Sequence, residues 1–344
     1  MLLFGTKVLS IGRVCAEISF AAHMKSSPYG VFTGQLFQYC SSPSLIAFES
    51  SPPSLGQTLS QSICNQKCIL LGGLSDGPIP TPYTKQLEQS CHNMGWSLVQ
   101  PILSSSYLGF GHGSLRRDTN EILQLLEYLS EHHNAQRFAL VGHSTGCQNL
   151  IHILKNYGRG VDVIHRIKVV VLQAPVSDRE SLPLSSSHGS NHNENIQHAQ
   201  SLLAKGAGEE MMPRSAFWAP ITAYRYLSLF DTNGDDDYFS SDLSDVELHQ
   251  RLGHVGKLGR TTGMHVLVAF SKQDEYVPKN IDKDYLLQRL VNAMNDFVVG
   301  DDVVGGLMLE HSNHNLSNNE NDQQTFVDMF EGMLYATNLE TGSK

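Results

Sequence analysis

Six short runs rich in Val, Ile and Leu punctuate the chain: Lys67–Leu71, Ser97–Gln100, Arg137–Val141, Lys168–Gln173, Met264–Phe270 and Val303–Leu309. Each is largely apolar and bounded by polar or turn-forming residues, which suits strands buried on both faces of a parallel sheet. Between the runs the spacing changes from continuous to helical. Asp118–His132 sets Ile122, Leu125, Leu126 and Leu129 on one stripe, and Asp118 with Glu121 has the spacing of a capping box. Thr81–Asn93 and Thr145–Asn156 read as further helices. This alternation predicts an α/β fold: a mostly parallel, twisted sheet with right-handed crossovers and helices on both faces.

Two stretches break the alternation. Residues 41–63, rich in Ser, Pro and Gln, read as a loop joining early strands. Residues 176–262 lack clean strands; they begin with a His- and Asn-rich run and end in an acidic segment. An insertion between two core strands is a usual place for a cap over an active site. The expected organisation is an extension over 1–23, a domain over 24–335 with a cap at about 176–262, and a tail over 336–344.

Composition narrows the partners. A formal charge of −10 without a concentrated Lys/Arg patch argues against nucleic acid. No apolar run reaches the ~18 residues of a membrane-spanning helix. The six cysteines are scattered without a repeating pattern, which reads as reduced thiols and a cytoplasmic setting. Cys64 and Cys68 have no partner pair to complete a zinc site. Residues 1–23 carry Lys7 and Arg13 against one acid, Glu17, so an organelle-targeting peptide is the alternative to a plain extension before Met24.

The chemistry concentrates where the run RFALV meets Gly142-His143-Ser144-Thr145-Gly146 and a helical stretch follows. G-x-S-x-G on a strand–turn–helix is the setting of a strained nucleophile, and small flanking residues let the chain turn. A serine hydroxyl needs a base, and the base needs an orienting acid. On this type of fold the acid precedes the base in the chain. Asp274 and Glu275 follow the run ending in Phe270, and Asp274 is preferred as first after the short turn. His311 and His314 follow the last run, and His314 is preferred because it lies further into the loop. The oxyanion calls for two backbone N–H donors. Thr145, next after the nucleophile, supplies one; the Gly72-Gly73-Leu74-Ser75-Asp76-Gly77 turn supplies the other, with Leu74 as candidate.

These segments, GGLSDG, SSSYLGFGHGSLRRD, LVGHSTGCQ, LQAPVSDRE, SKQDEYVP and SNHNLS, occur in an order that resembles the DUF1749 (UPF0613) family of α/β-hydrolases over roughly residues 24–335. The resemblance implies an α/β-hydrolase fold, puts Ser144, Asp274 and His314 on the triad positions, and implies ester cleavage. Fungal members of the family include esterases that open hydroxamate siderophores; the resemblance does not carry that substrate over.

Other features read as structural. Asp231–Asp237 resembles a calcium loop, but Asp236 and Asp242 stand where the template wants Gly and Glu, so it reads as a solvated acidic loop. His188, His192 and His198 lie in what reads as a disordered polar loop. Cys147 reads as a packing residue, and Arg116-Arg117 as charges before a helix start, with the steering of an anionic substrate as the alternative. The expected activity is carboxylic-ester hydrolysis of a small molecule through an acyl-enzyme, without cofactor or metal. Thioester or amide cleavage on the same triad, and a ligand receptor with little turnover, are the competing functions. The sequence does not specify an oligomeric state.

Overall fold

The computed structural model describes residues 29–52, 64–158, 160–181, 191–298 and 302–342. Its centre is an eight-stranded sheet of β1 (Gly34–Ser41), β2 (Ser44–Ser50), β3 (Gln66–Leu71), β4 (Ser97–Ile102), β5 (Arg137–His143), β6 (Ile167–Gln173), β7 (His265–Ser271) and β8 (Val304–Leu309). The spatial order is β1-β2-β4-β3-β5-β6-β7-β8. Strands β3 to β8 pair in parallel; β1 and β2 form an antiparallel hairpin whose second strand runs antiparallel to β4. All six apolar runs are therefore strands. The 41–63 stretch is not one loop: its first part is β2, where alternation buries Leu45 and Ala47, and residues 53–63 lie outside the described ones.

The helices are α1 (Thr84–Asn93), α2 (Leu115–His132), α3 (Thr145–Lys155), α4 (Val161–Ile164), α5 (Asp178–Ser181), α6 (His192–Ala204), α7 (Ala223–Phe230), α8 (Asp245–Leu252), α9 (His254–Thr262), α10 (Lys283–Met294) and α11 (Glu320–Gly342). Strand periodicity sorts the core onto two faces. Ile69, Leu71, Phe138, Leu140, Val170 and Leu172 face α2, α3, α9 and α10, while Cys68, Leu70, Ala139, Val141, Val169 and Val171 face α1 and α11. Residues with no polar side-chain atom on either face explain why the runs were continuous rather than alternating.

Helix α2 begins three residues before Asp118. Ser114 caps it by accepting from the Arg117 amide at 3.1 Å, so Asp118 and Glu121 are not its capping box. Glu121 instead accepts from the Ser104 amide at 2.8 Å. Arg116 and Arg117 thus stand in the first turn, not in a preceding loop, and Arg117 bonds the carbonyls of His112 and Gly109.

Among the described residues between β6 and β7 lie α5 to α9 and one isolated bridge, Met211 to Thr222. The His- and Asn-rich stretch is helical from His192, because Ile196, Ala199 and Leu202 pack toward a third apolar cluster with Phe217, Tyr226 and Phe230. His188 lies outside the described residues. That cluster reaches the sheet domain through Phe110, which meets Phe217 edge-on at 6.2 Å, and through the Thr222 amide, which donates to the Gly111 carbonyl at 2.9 Å. The acidic loop is held by ion pairs: Arg225 with Asp236, and Arg179 with Asp237 and Asp242. Among the described residues no cluster of His, Cys, Asp and Glu could hold a metal ion, and no helix is long and apolar enough to cross a membrane.

Candidate active site

Ser144 stands between β5 and α3 with φ 53° and ψ −124°, a conformation that a non-glycine residue adopts only under local constraint. The constraint is visible on both sides. Its amide donates to the Gln173 carbonyl at 3.0 Å, and its carbonyl accepts from Cys147 at 2.8 Å. A Cβ at Gly146 would lie 2.6 Å from the Leu71 carbonyl oxygen, and one at Gly142 would lie 2.6 Å from that of Gly146. The flanking glycines let β3, the turn and α3 close on one another. Cys147 is fully buried with its thiol toward the Gly142 and Gln173 carbonyls at 3.3 Å, a packing position.

Beyond β7 and β8 the structure separates the two paired candidates. His314 Nδ1 donates to Asp274 Oδ2 at 2.8 Å, and Asp274 Oδ1 accepts from the Tyr276 amide at 2.9 Å. Glu275 takes a different part: its Oε2 accepts from the His314 backbone amide at 3.0 Å. His311 is exposed and does not line the cleft, with its amide on Asp322. The Tyr276 ring packs edge-on against the His314 imidazole at 4.6 Å between centroids. Asp274 is 2% and His314 6% exposed, so their hydrogen bond is shielded from bulk water.

Ser144 and His314 line one cleft of about 500 Å³, together with Gly73, Leu74, Ser75 and Asp76 from the turn after β3. Phe217, Trp218 and Phe230 from the β6–β7 segment close it on another side. Gly73 packs directly against Ser144; a Cβ there would come within 2.9 Å of Ser144 Cβ. The turn is braced by Asp76, whose carboxylate accepts from the Gly73 amide at 2.8 Å. Burial raises the Asp76 pKa, opposed by that bond and by His314. The Leu74 amide has no acceptor among the described residues, and the Thr145 amide opens α3, where first-turn amides lack intrahelical partners. Both are thus available to an oxyanion.

Gln173, His143 and Tyr83 were not singled out by sequence. Gln173 ends β6, and its side chain joins three elements: Oε1 accepts from the Tyr83 hydroxyl at 2.7 Å and faces His143 Nδ1 at 2.6 Å, while Nε2 donates to the His314 carbonyl at 2.9 Å. A polar residue at the carboxyl end of an otherwise apolar strand was the available signal, since ligand sites in open α/β sheets lie outside those ends. Asp178 also lines the cleft; burial, then the charge of Asp236, pushes its pKa up to about 7. Neither Arg116 nor Arg117 lines it, so the substrate-steering alternative is not supported by position.

The model of a family described as "Protein of unknown function (DUF1749)" matches residues 24–335. A UPF0613 protein of Schizosaccharomyces pombe is 33% identical over 265 residues, covering 71% of this chain and 79% of that protein. Fusarinine C esterase sidJ of Aspergillus fumigatus is 30% identical over 343 residues, covering 87% of this chain and 94% of its own. Among solved structures, the siderophore hydrolase EstB from Aspergillus fumigatus matches with a TM-score of 0.70 at 28% identity, covering 90% of this chain and 99% of that one.

Proposed function

Because the chain belongs to the DUF1749 family and has the α/β-hydrolase fold, we propose that it is a carboxylic-ester hydrolase acting through an acyl-enzyme on Ser144. The observation that carries the proposal is the His314–Asp274 hydrogen bond in the wall of the cleft that Ser144 also lines. In this scheme Ser144 Oγ attacks the ester carbonyl and its proton passes to His314 Nε2. Asp274 keeps Nδ1 protonated and stabilises the imidazolium that forms. The carbonyl oxygen, now negative, accepts from the Leu74 and Thr145 amides. Collapse expels the alcohol with the proton from His314, and water then repeats the sequence to release the acid. The segment between β6 and β7 serves as the cap, with its aromatic residues against the leaving or acyl group. The relatives named as esterases support ester over thioester or amide cleavage.

A fluorophosphonate probe tests this directly. The folded wild-type protein is expected to be labelled and Ser144→Ala to be silent. A folded wild type that takes no label would falsify the scheme.

A further inference from the structure

His143 fills the unspecified position before Ser144 in G-x-S-x-G, yet its ring is held by Gln173 and packs against the His314 ring. Gln173 decides its protonation. The His314 carbonyl is an acceptor only, so the Gln173 group facing it must be the amide NH2, and the opposite group, toward Tyr83 and His143, must be the carbonyl oxygen. A carbonyl oxygen accepts only. His143 Nδ1 therefore carries the proton, and Nε2 presents a lone pair. The ring is 5% exposed and lines the cleft beside Ser144, and Nε2 has no hydrogen-bond partner among the described residues. Burial, then the neighbouring His314 ring at 5.0 Å, pushes the His143 pKa down to about 3, so it stays an acceptor when His314 takes up a proton.

Resting on the hydrolase reading above, we propose that His143 is a specificity-determining residue whose Nε2 accepts a hydrogen bond from a hydroxyl or N–H group that the ester carries close to its scissile carbonyl. The rest of the lining agrees with a donor-bearing, non-anionic substrate. Among the described residues it includes the carboxyl groups of Asp76, Asp178 and Glu275 and no Lys or Arg. A site built around a buried acceptor rejects the analogue that cannot donate, because the acceptor is then left dry and unpaired.

The experiment compares 4-nitrophenyl esters in matched pairs: 3-hydroxybutyrate with 3-methoxybutyrate, and N-acetylglycine with N-acetylsarcosine. In wild type, kcat/KM is expected to favour the donor-bearing member of at least one pair by about 10-fold or more. His143→Phe, which keeps a ring and removes the acceptor, is expected to bring that ratio to about one, and His143→Gln, which keeps an acceptor, to restore part of it. A wild type that takes the fluorophosphonate label but shows no preference in either pair overturns the proposal, and so does a ratio unchanged in His143→Phe. If His143→Phe does not fold, the wild-type ratios and His143→Gln decide. Absence of labelling on folded wild type instead removes the hydrolase reading itself.

Discussion

His314 is gripped by two adjacent carboxylates in two different ways: Asp274 accepts a hydrogen bond from its Nδ1–H at 2.8 Å, and Glu275 accepts one from its backbone amide at 3.0 Å. One bond fixes the imidazole tautomer, and the other fixes where the loop carries the imidazole. The two acids should therefore respond differently to the same isosteric change. Asp274→Asn presents an amide where Nδ1–H must donate, favours the wrong tautomer, and is expected to lower kcat by on the order of 10³–10⁴. Glu275→Gln keeps an oxygen able to accept from the amide, and a loss within about 10-fold is expected. Steady-state hydrolysis of a 4-nitrophenyl ester measures both; equal losses would contradict the division of roles.

The two histidines after β8 make a second contrast. His311 contributes only its backbone to the hydrogen bonds around the site, through the amide on Asp322 and the carbonyl that accepts from Asn318. His311→Ala preserves both, so kcat/KM is expected to stay within about twofold of wild type. His314→Ala removes the base and is expected to leave about 10⁻³ of the rate or less. Full activity in His314→Ala would move the base elsewhere.

Much of this arrangement is legible in the residues. Five of the six apolar runs announce strands because both faces of β3 to β7 are covered, β8 at the sheet edge is apolar in sequence although partly exposed, and the motif around Ser144 announces its own turn. The β1–β2 hairpin is harder to read, since it lies at the sheet edge and β1 shows mostly exposed side chains. The start of α2 misleads for another reason: Asp118 and Glu121 look like helix-start residues, but Glu121 is bonded to Ser104 and Asp118 is buried beneath the turn after β3. Tertiary contacts, not local capping, fix both. Gln173 gives only a positional hint, because its three partners come from positions 83, 143 and 314. No local pattern brings those together.

Toward an ester with no donor near its carbonyl, which makes no bond to His143, Gln173 should matter through His314 rather than through substrate. Gln173→Leu leaves the Tyr83 hydroxyl, His143 Nδ1 and the His314 carbonyl without their shared partner. A kcat loss of about 10- to 100-fold is expected, with KM changed by about twofold or less, as for a misplaced base with intact binding. Gln173→Glu still accepts from Tyr83 and His143 but sets an acceptor against the His314 carbonyl, so it should fail in the same direction. A selective rise in KM would assign Gln173 to binding instead.

At the other end of the sheet, Glu49 on β2 binds the fully buried Lys67 on β3, the Ser97 hydroxyl at 2.7 Å and His133 Nδ1 at 2.7 Å. Burial alone would raise the Glu49 pKa, but the His133 bond and the Lys67 charge outweigh it and hold the carboxyl at about 2, below its ordinary 4.5. A carboxylate depressed in the folded state stabilises it fully above the unfolded value, and that stability drains away as pH falls from about 4.5 to about 2. The shift corresponds to about 3 kcal/mol. Glu49→Gln is expected to cost about 3–5 kcal/mol at neutral pH, because it strands the Lys67 ammonium in the core. Adding Lys67→Met to it should return much of the loss. Urea midpoints across pH 2–7 measure both effects: the double variant should show a flatter acid limb than wild type, and an equally steep limb would assign the acid sensitivity to other carboxylates.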